Sequence, residues 1–117
     1  MQRVSVISGV DLYQSSAAES KHQVSAVASE LFLLAVSNGG ASDVYVQIHD
    51  SATTPSESAV PCISYLVPAG LSASYDFWGD RYSNGIYVCA SSTQLTKTNT
   101  GQTDTCLIRC RFNKILY

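Results

Sequence analysis

The chain has 117 residues, with 7 Lys+Arg against 9 Asp+Glu and a formal net charge of −2. At 45% apolar and 14% charged it is too apolar for a charge-driven disordered chain, and it lacks the net positive field that holds nucleic acid. Its polar surface comes from 18 Ser and 8 Thr more than from 3 Lys. So sparse a charge keeps a protein monomeric poorly, which points to a subunit of something larger. At this length one domain spanning 1–117 is expected, with a core of its own.

Residues 1–16 carry no basic segment followed by an apolar run. The longest apolar run, Leu31 to Val36, is far too short to span a membrane. The expectation is synthesis in a reducing cytoplasm, with no membrane partner. RVSVI and GVDLY are short strand candidates, and residues 1–20 are a candidate arm. Ser15–His22 is the one candidate helix and has no apolar stripe. HQVSAVAS fits strand or loop, whereas ELFLLAVS reads as a strand buried on both faces. Asn38-Gly39-Gly40 tolerates positive φ and predicts a hairpin into DVYVQIHD, where Val44, Val46 and Ile48 alternate with Tyr45, Gln47 and His49.

Downstream, CISYLV, LSASYDF, GIYVCASS and DTCLIRCRF keep the same period of two. Pro68-Ala69-Gly70 and Ser83-Asn84-Gly85 punctuate them as turns. Two longer loops, Ser51–Pro61 and Gln94–Thr103, have no chemistry to serve but could lie on neighbouring subunits. Seven or eight half-buried strands predict an all-β fold, a single-domain antiparallel β-sandwich that is jelly-roll-like or immunoglobulin-like. Its core should hold Val44, Val46, Ile48, Tyr75, Phe77, Ile86, Val88 and Ile108.

The cysteines are Cys62, Cys89, Cys106 and Cys110, with no C-x-x-C and no histidine nearby in sequence. No metal is expected. Cys106 and Cys110 on one strand would be ~13 Å apart at Cα, too far for a disulfide. All four read as small core hydrophobes with free thiols; a Cys89–Cys106 bond between strands is the alternative.

No catalytic or cofactor motif stands out. There is no G-x-S-x-G elbow and no phosphate-binding glycine loop. His49-Asp50 reads as a surface histidine beside a turn-forming aspartate. Asp76 and Asp80 flank Phe77-Trp78-Gly79, but two carboxylates are too few for a calcium cage. No enzymatic activity and no cofactor are expected.

The aromatics carry more. Trp78 and Tyr82 fall in a presumed loop, WGDRYSN, with Arg81 between them. Either the rings tuck onto the end of the core, or they are exposed anchors of the Trp/Tyr/Arg type that dominates interfaces. Lys114-Ile115-Leu116-Tyr117 is an apolar ending that would be odd on a free monomer; it suggests residues tied down in a sheet or against a neighbouring chain. The candidate interface is therefore Trp78, Tyr82, Arg81, Ile115, Leu116 and Tyr117.

From Leu31 to Thr98 the chain resembles small virion structural proteins of tailed bacteriophages. The marks are the N-G-G-A-S turn, the Y-V-Q-I-H-D-S-A strand end, the V-P-A-G turn, and N-G-I before a strand running into A-S-S-T. The resemblance implies a β-sandwich decoration (cement) protein on the capsid, often a trimer, that bridges capsomers. Its partners would be itself and the major capsid protein or another virion protein, without nucleic acid. The alternative is a neck, tail or fibre module for assembly or host binding, with a host glycan as a further partner. Either way the expected location is the virion.

Overall fold

The computed structural model describes residues 11–99 and 104–115. Eight strands follow one another: β1 (Asp11–Gln14), β2 (Lys21–Ser25), β3 (Ser29–Asn38), β4 (Val44–Asp50), β5 (Ile63–Val67), β6 (Ser72–Tyr82), β7 (Ile86–Ser91) and β8 (Cys106–Lys114). No helix occurs among the described residues, so the Ser15–His22 candidate is instead bends and an isolated bridge that lead into β2. RVSVI lies outside the described residues. Of the candidate arm 1–20, residues 11–14 are β1, and Glu19 bridges to Cys106.

The pairing has a simple logic. β1 pairs β8, β2 pairs β7, β3 pairs β6 and β4 pairs β5, all antiparallel. This is one long hairpin of four strand pairs. Rolling it up brings β3 against β8 and β4 against β7. Two four-stranded sheets result, ordered β1-β8-β3-β6 and β2-β7-β4-β5. The fold is a jelly-roll β-sandwich.

The rolled hairpin corrects the expected β3–β4 hairpin, since those strands lie in different sheets. Asn38-Gly39-Gly40 is instead a corner. Buried Asn38 holds it: its side-chain amide donates to the carbonyls of Ser42 (2.9 Å), Val67 (3.1 Å) and Pro68 (3.4 Å), and its Oδ1 accepts from Gly40 N–H (3.0 Å). Asp50 ties down the β6–β7 corner, with Oδ1 accepting from Asn84 N–H at 2.8 Å and Oδ2 from Ser83 N–H at 3.3 Å. At Gly85 a Cβ would stand 2.5 Å from the Ser25 carbonyl oxygen and 2.7 Å from that of Ser51, so no side chain fits there.

The inward positions form one core. Val44, Val46, Ile48, Ile86, Val88 and Ile108 are buried as expected, joined by Leu31, Leu34, Val36, Val67 and Phe112. Tyr75 and Phe77 are half-buried at its margin. There Tyr75 stacks on Tyr65 with ring centroids 3.9 Å apart, and Phe77 meets Tyr65 edge-on at 6.5 Å. These rings seal the seam between the edge strands β5 and β6. β3 is not buried on both faces: Leu31, Leu34 and Val36 point in, whereas Phe32, Leu33 and Ala35 are half-covered outside. Its parity slips between Leu31 and Leu33, where the ladders to β6 and β8 both shift register.

Leu34→Ala should lower the unfolding free energy by about 2–5 kcal/mol, and Gly85→Ala by about 1–3 kcal/mol through overpacking. Urea denaturation followed by circular dichroism measures both. A loss below about 0.5 kcal/mol at either site, within the range of an ordinary surface change, would contradict the packing described.

Candidate interaction surface

The two sheets differ in what covers their outer faces. On the β2-β7-β4-β5 sheet the outward positions Gln47, His49, Tyr87, Cys89 and Ser91 are all buried. The covering is the chain's own loops. Gln47 donates to the carbonyls of Thr93 (2.9 Å), Gln94 (3.3 Å) and Thr96 (2.8 Å). That leaves its Oε1 as an acceptor, so His49 donates to it from Nε2 at 3.0 Å. The Glu57 carboxylate joins the two loops: it pairs with the Lys97 ammonium at 2.9 Å and accepts from Asn99 N–H at 2.9 Å. Backbone bonds between Lys97 and both Ser58 and Ala59 complete the clasp.

The described parts of both long loops pack on their own sheet; residues 100–103 are outside the described residues. This cover also corrects the reading of one histidine. His49 is buried and not a surface group, although Asp50 beside it does serve a turn. The core-cysteine reading holds for Cys89, Cys106 and Cys110, but Cys62 is exposed, and all four thiols are free. Burial pushes Cys89 and Cys110 up to about 12, so both stay protonated at neutral pH.

On the β1-β8-β3-β6 sheet the outward positions among the described residues are half-buried or exposed. The register aligns Gln14, Arg109, Ala35 and Ser74 in one row across it, and Leu107, Ser37 and Ser72 in the next. Ala and Ser between Leu107, Arg109 and Gln14 leave an open groove of about 420 Å³. Leu107 at 48% exposure and Leu12 at 46% lie on this face. Arg109 and Arg111 stand exposed along β8.

Among the described residues β6 is the outer edge of this sheet, with β3 its one ladder partner. Trp78, Arg81 and Tyr82 belong to β6 and not to a loop. Opposite Leu31 to Leu33 the strand spends two extra residues, because Leu31 pairs Asp80 while Leu33 pairs Asp76. Gly79 takes φ +80° inside this bulge, and a Cβ there would meet the Phe32 ring at 3.4 Å. A bulge re-aims side chains; here Trp78 is 98% exposed.

The six candidate residues therefore separate. Trp78 and Arg81 are exposed on the edge strand. Tyr82 is corrected: at 6% exposure it sits in the core, where burial raises its hydroxyl pKa. Ile115 is half-buried, and its N–H donates to the Ala28 carbonyl at 2.9 Å. Leu116 and Tyr117 lie outside the described residues. The sequence reading missed the groove, because it depends on Ala35, Ser74 and Arg109 falling in one row. Alternation within each strand was visible, but the register between strands was not.

No family model matches the chain, and no curated protein matches it. Among solved structures it is similar to the coat protein of tobacco streak virus, at 11% identity over 93% of this chain and 89% of that one, with a TM-score of 0.41. A likeness of that degree assigns no function.

Two outcomes follow from the covered and uncovered sheets. In the native protein a thiol reagent should titrate Cys62 quickly, and Cys89, Cys106 and Cys110 only on unfolding; rapid reaction of a second thiol would contradict the packing. Burial lowers the pKa of both His22 and His49, with the Lys97 charge adding to the effect on His49. A depressed folded-state pKa contributes stability that is complete above the unfolded value, about 6.5, and is lost as pH falls below it. His49→Gln, which can still donate to Gln47, should show a smaller drop in Tm between about pH 7 and 5 than wild type. Parallel Tm–pH curves would contradict the buried neutral His49.

Proposed function

We propose that this chain is a bacteriophage virion structural protein: a decoration (cement) subunit on the capsid surface that bridges capsomers as a homotrimer. It acts by assembly and not by catalysis. The observation that carries the reading is the jelly-roll winding, an architecture used by viral capsid domains. Since fold alone does not fix function, three further features support it. The Leu31–Thr98 stretch resembles small tailed-phage virion proteins. The surface is sparsely charged. Among the described residues the outer face of one sheet and its edge strand β6 are open, whereas the middle of the other outer face is covered by the chain's own loops.

A shell under internal pressure gains from a small rigid domain that buries area at each joint between capsomers. Standard interfaces bury about 1,600 Å², and repetition over the shell makes a modest contact avid. In this reading the partners are other copies of the chain and the major capsid protein, met after synthesis in the host cytoplasm.

A neck, tail or fibre module is the second reading. The exposure of Trp78 favours it, because an unhindered indole also suits recognition of a host glycan. Copy number separates the two. Cryo-electron microscopy and quantitative mass spectrometry of particles made from the encoding genome should find hundreds of copies, all on the head. A few to a few dozen copies at the neck or tail would replace the decoration reading with the second one. Absence from the particle would end both.

A further inference from the structure

Trp78 and the groove on the β1-β8-β3-β6 sheet belong to one surface and cannot satisfy each other within a chain. Ser74, on the groove wall, and Trp78 lie on the same strand, about 13 Å apart at ordinary strand rise. At 98% exposure the indole is visibly outside its own groove. The groove, about 420 Å³, has room for an indole. Its floor of Ala35 and small serines admits a flat ring closely. Arg109 at its wall is placed to lie against an aromatic face, where a guanidinium is attracted by the ring.

Charge agrees with shape. The strand that presents Trp78 carries exposed Asp76 and Asp80 on either side of it, with one exposed cation, Arg81, farther along, so it stays net acidic. The strand that walls the groove carries exposed Arg109 and Arg111. An acidic knob and a basic hole on one molecule are complementary between copies.

We propose that Trp78 of one copy seats in the Ala35–Ser74–Arg109 groove of the next. The occupant is a second copy of this chain, and the contact is head to tail. Such a contact joins two different patches, so repetition either closes a ring or runs on as a filament. A closed ring is the form required by the trimeric subunit proposed above, on which this inference builds by naming the contact. The bulge at Gly79 then has a purpose, for it sets the indole off the sheet edge where a neighbour can take it.

The sole tryptophan reports on its own burial. Its emission should shift to shorter wavelength as the full-length protein is concentrated through tens of micromolar, in step with the mass from light scattering. Raising salt should move the transition to higher concentration, because the flanking charges are exposed and screened. Trp78→Ala should weaken association about thirtyfold or more, the usual loss at a tryptophan hot spot, without changing the circular dichroism of the dilute protein. Ser74→Tyr, which fills the groove from an exposed position, should do the same.

The decisive arm mixes the two variants. One keeps an open groove and the other a free indole, so together they should form a one-to-one pair and nothing larger. Trp78→Ala assembling like wild type would overturn the proposal, as would a mixture that stays monomeric. An emission that does not change with concentration would also overturn it, whether the indole stays in water or is covered by the chain's own residues. A protein that behaves so yet is abundant on virions loses this contact and keeps its virion role.

Discussion

Closure of the rolled hairpin by the β3–β8 and β4–β7 ladders is the constraint on which everything else rests. Four strand pairs laid end to end would make a ribbon with two bare faces and no core. Bending that ribbon at its corners brings the apolar positions of Leu31, Leu34, Val46, Val88 and Ile108 into one interior. The ladders that close the roll join strands far apart in sequence: Val36 meets Ile108 and Val46 meets Ala90. Such contacts carry a high loop-closure cost, which slows folding. Local signals must therefore prepare the corners, and buried Asn38, Asp50 and Gly85 do so with side-chain and steric control of the bends.

The alternation of apolar residues made most strands legible. It located β4, β5, β7 and β8 with small boundary errors and β6 as far as Phe77, because a sheet with one side in the core leaves a period of two in its sequence. What it left hidden was which strands pair. Asn-Gly-Gly is as good a corner as a hairpin, since both need residues that tolerate unusual φ. The choice was made by Asn38's bonds to Val67 and Pro68, some thirty residues away. Trp78-Gly79 read as a loop because a bulge breaks alternation just as a loop does, while the ladder resumes at Asp80. His49 read as a surface group because nothing local announces that two distant loops will fold back over it. Of the six candidate interface residues, Trp78 and Arg81 are on the exposed edge and Tyr82 is in the core; within β6 the bulge had already scrambled the parity that would have told them apart.

The chain treats its two outer sheet faces in opposite ways, and the chemistry of each suits its treatment. Loops without secondary structure bring unpaired carbonyls, which must find donors when they are buried. The outer face of β4 and β7 supplies them through Gln47 and Ser91, with Glu57 and Lys97 tying the loops to each other. A neighbour could not easily replace such a cover, because every carbonyl would need a matching donor. The opposite face presents Ala35, Leu107, Leu12 and small serines, with Gln14, Arg109 and Arg111 among them. Its aliphatic patches leave water at little cost in broken hydrogen bonds, whereas its charged groups need partners when they are covered. A sandwich with one face largely covered by its own loops and the other open is asymmetric, and under the proposed assembly the open face is the one that meets a neighbour. The bulge places the largest exposed aromatic at the border of that face, the kind of residue that concentrates binding energy where an interface forms.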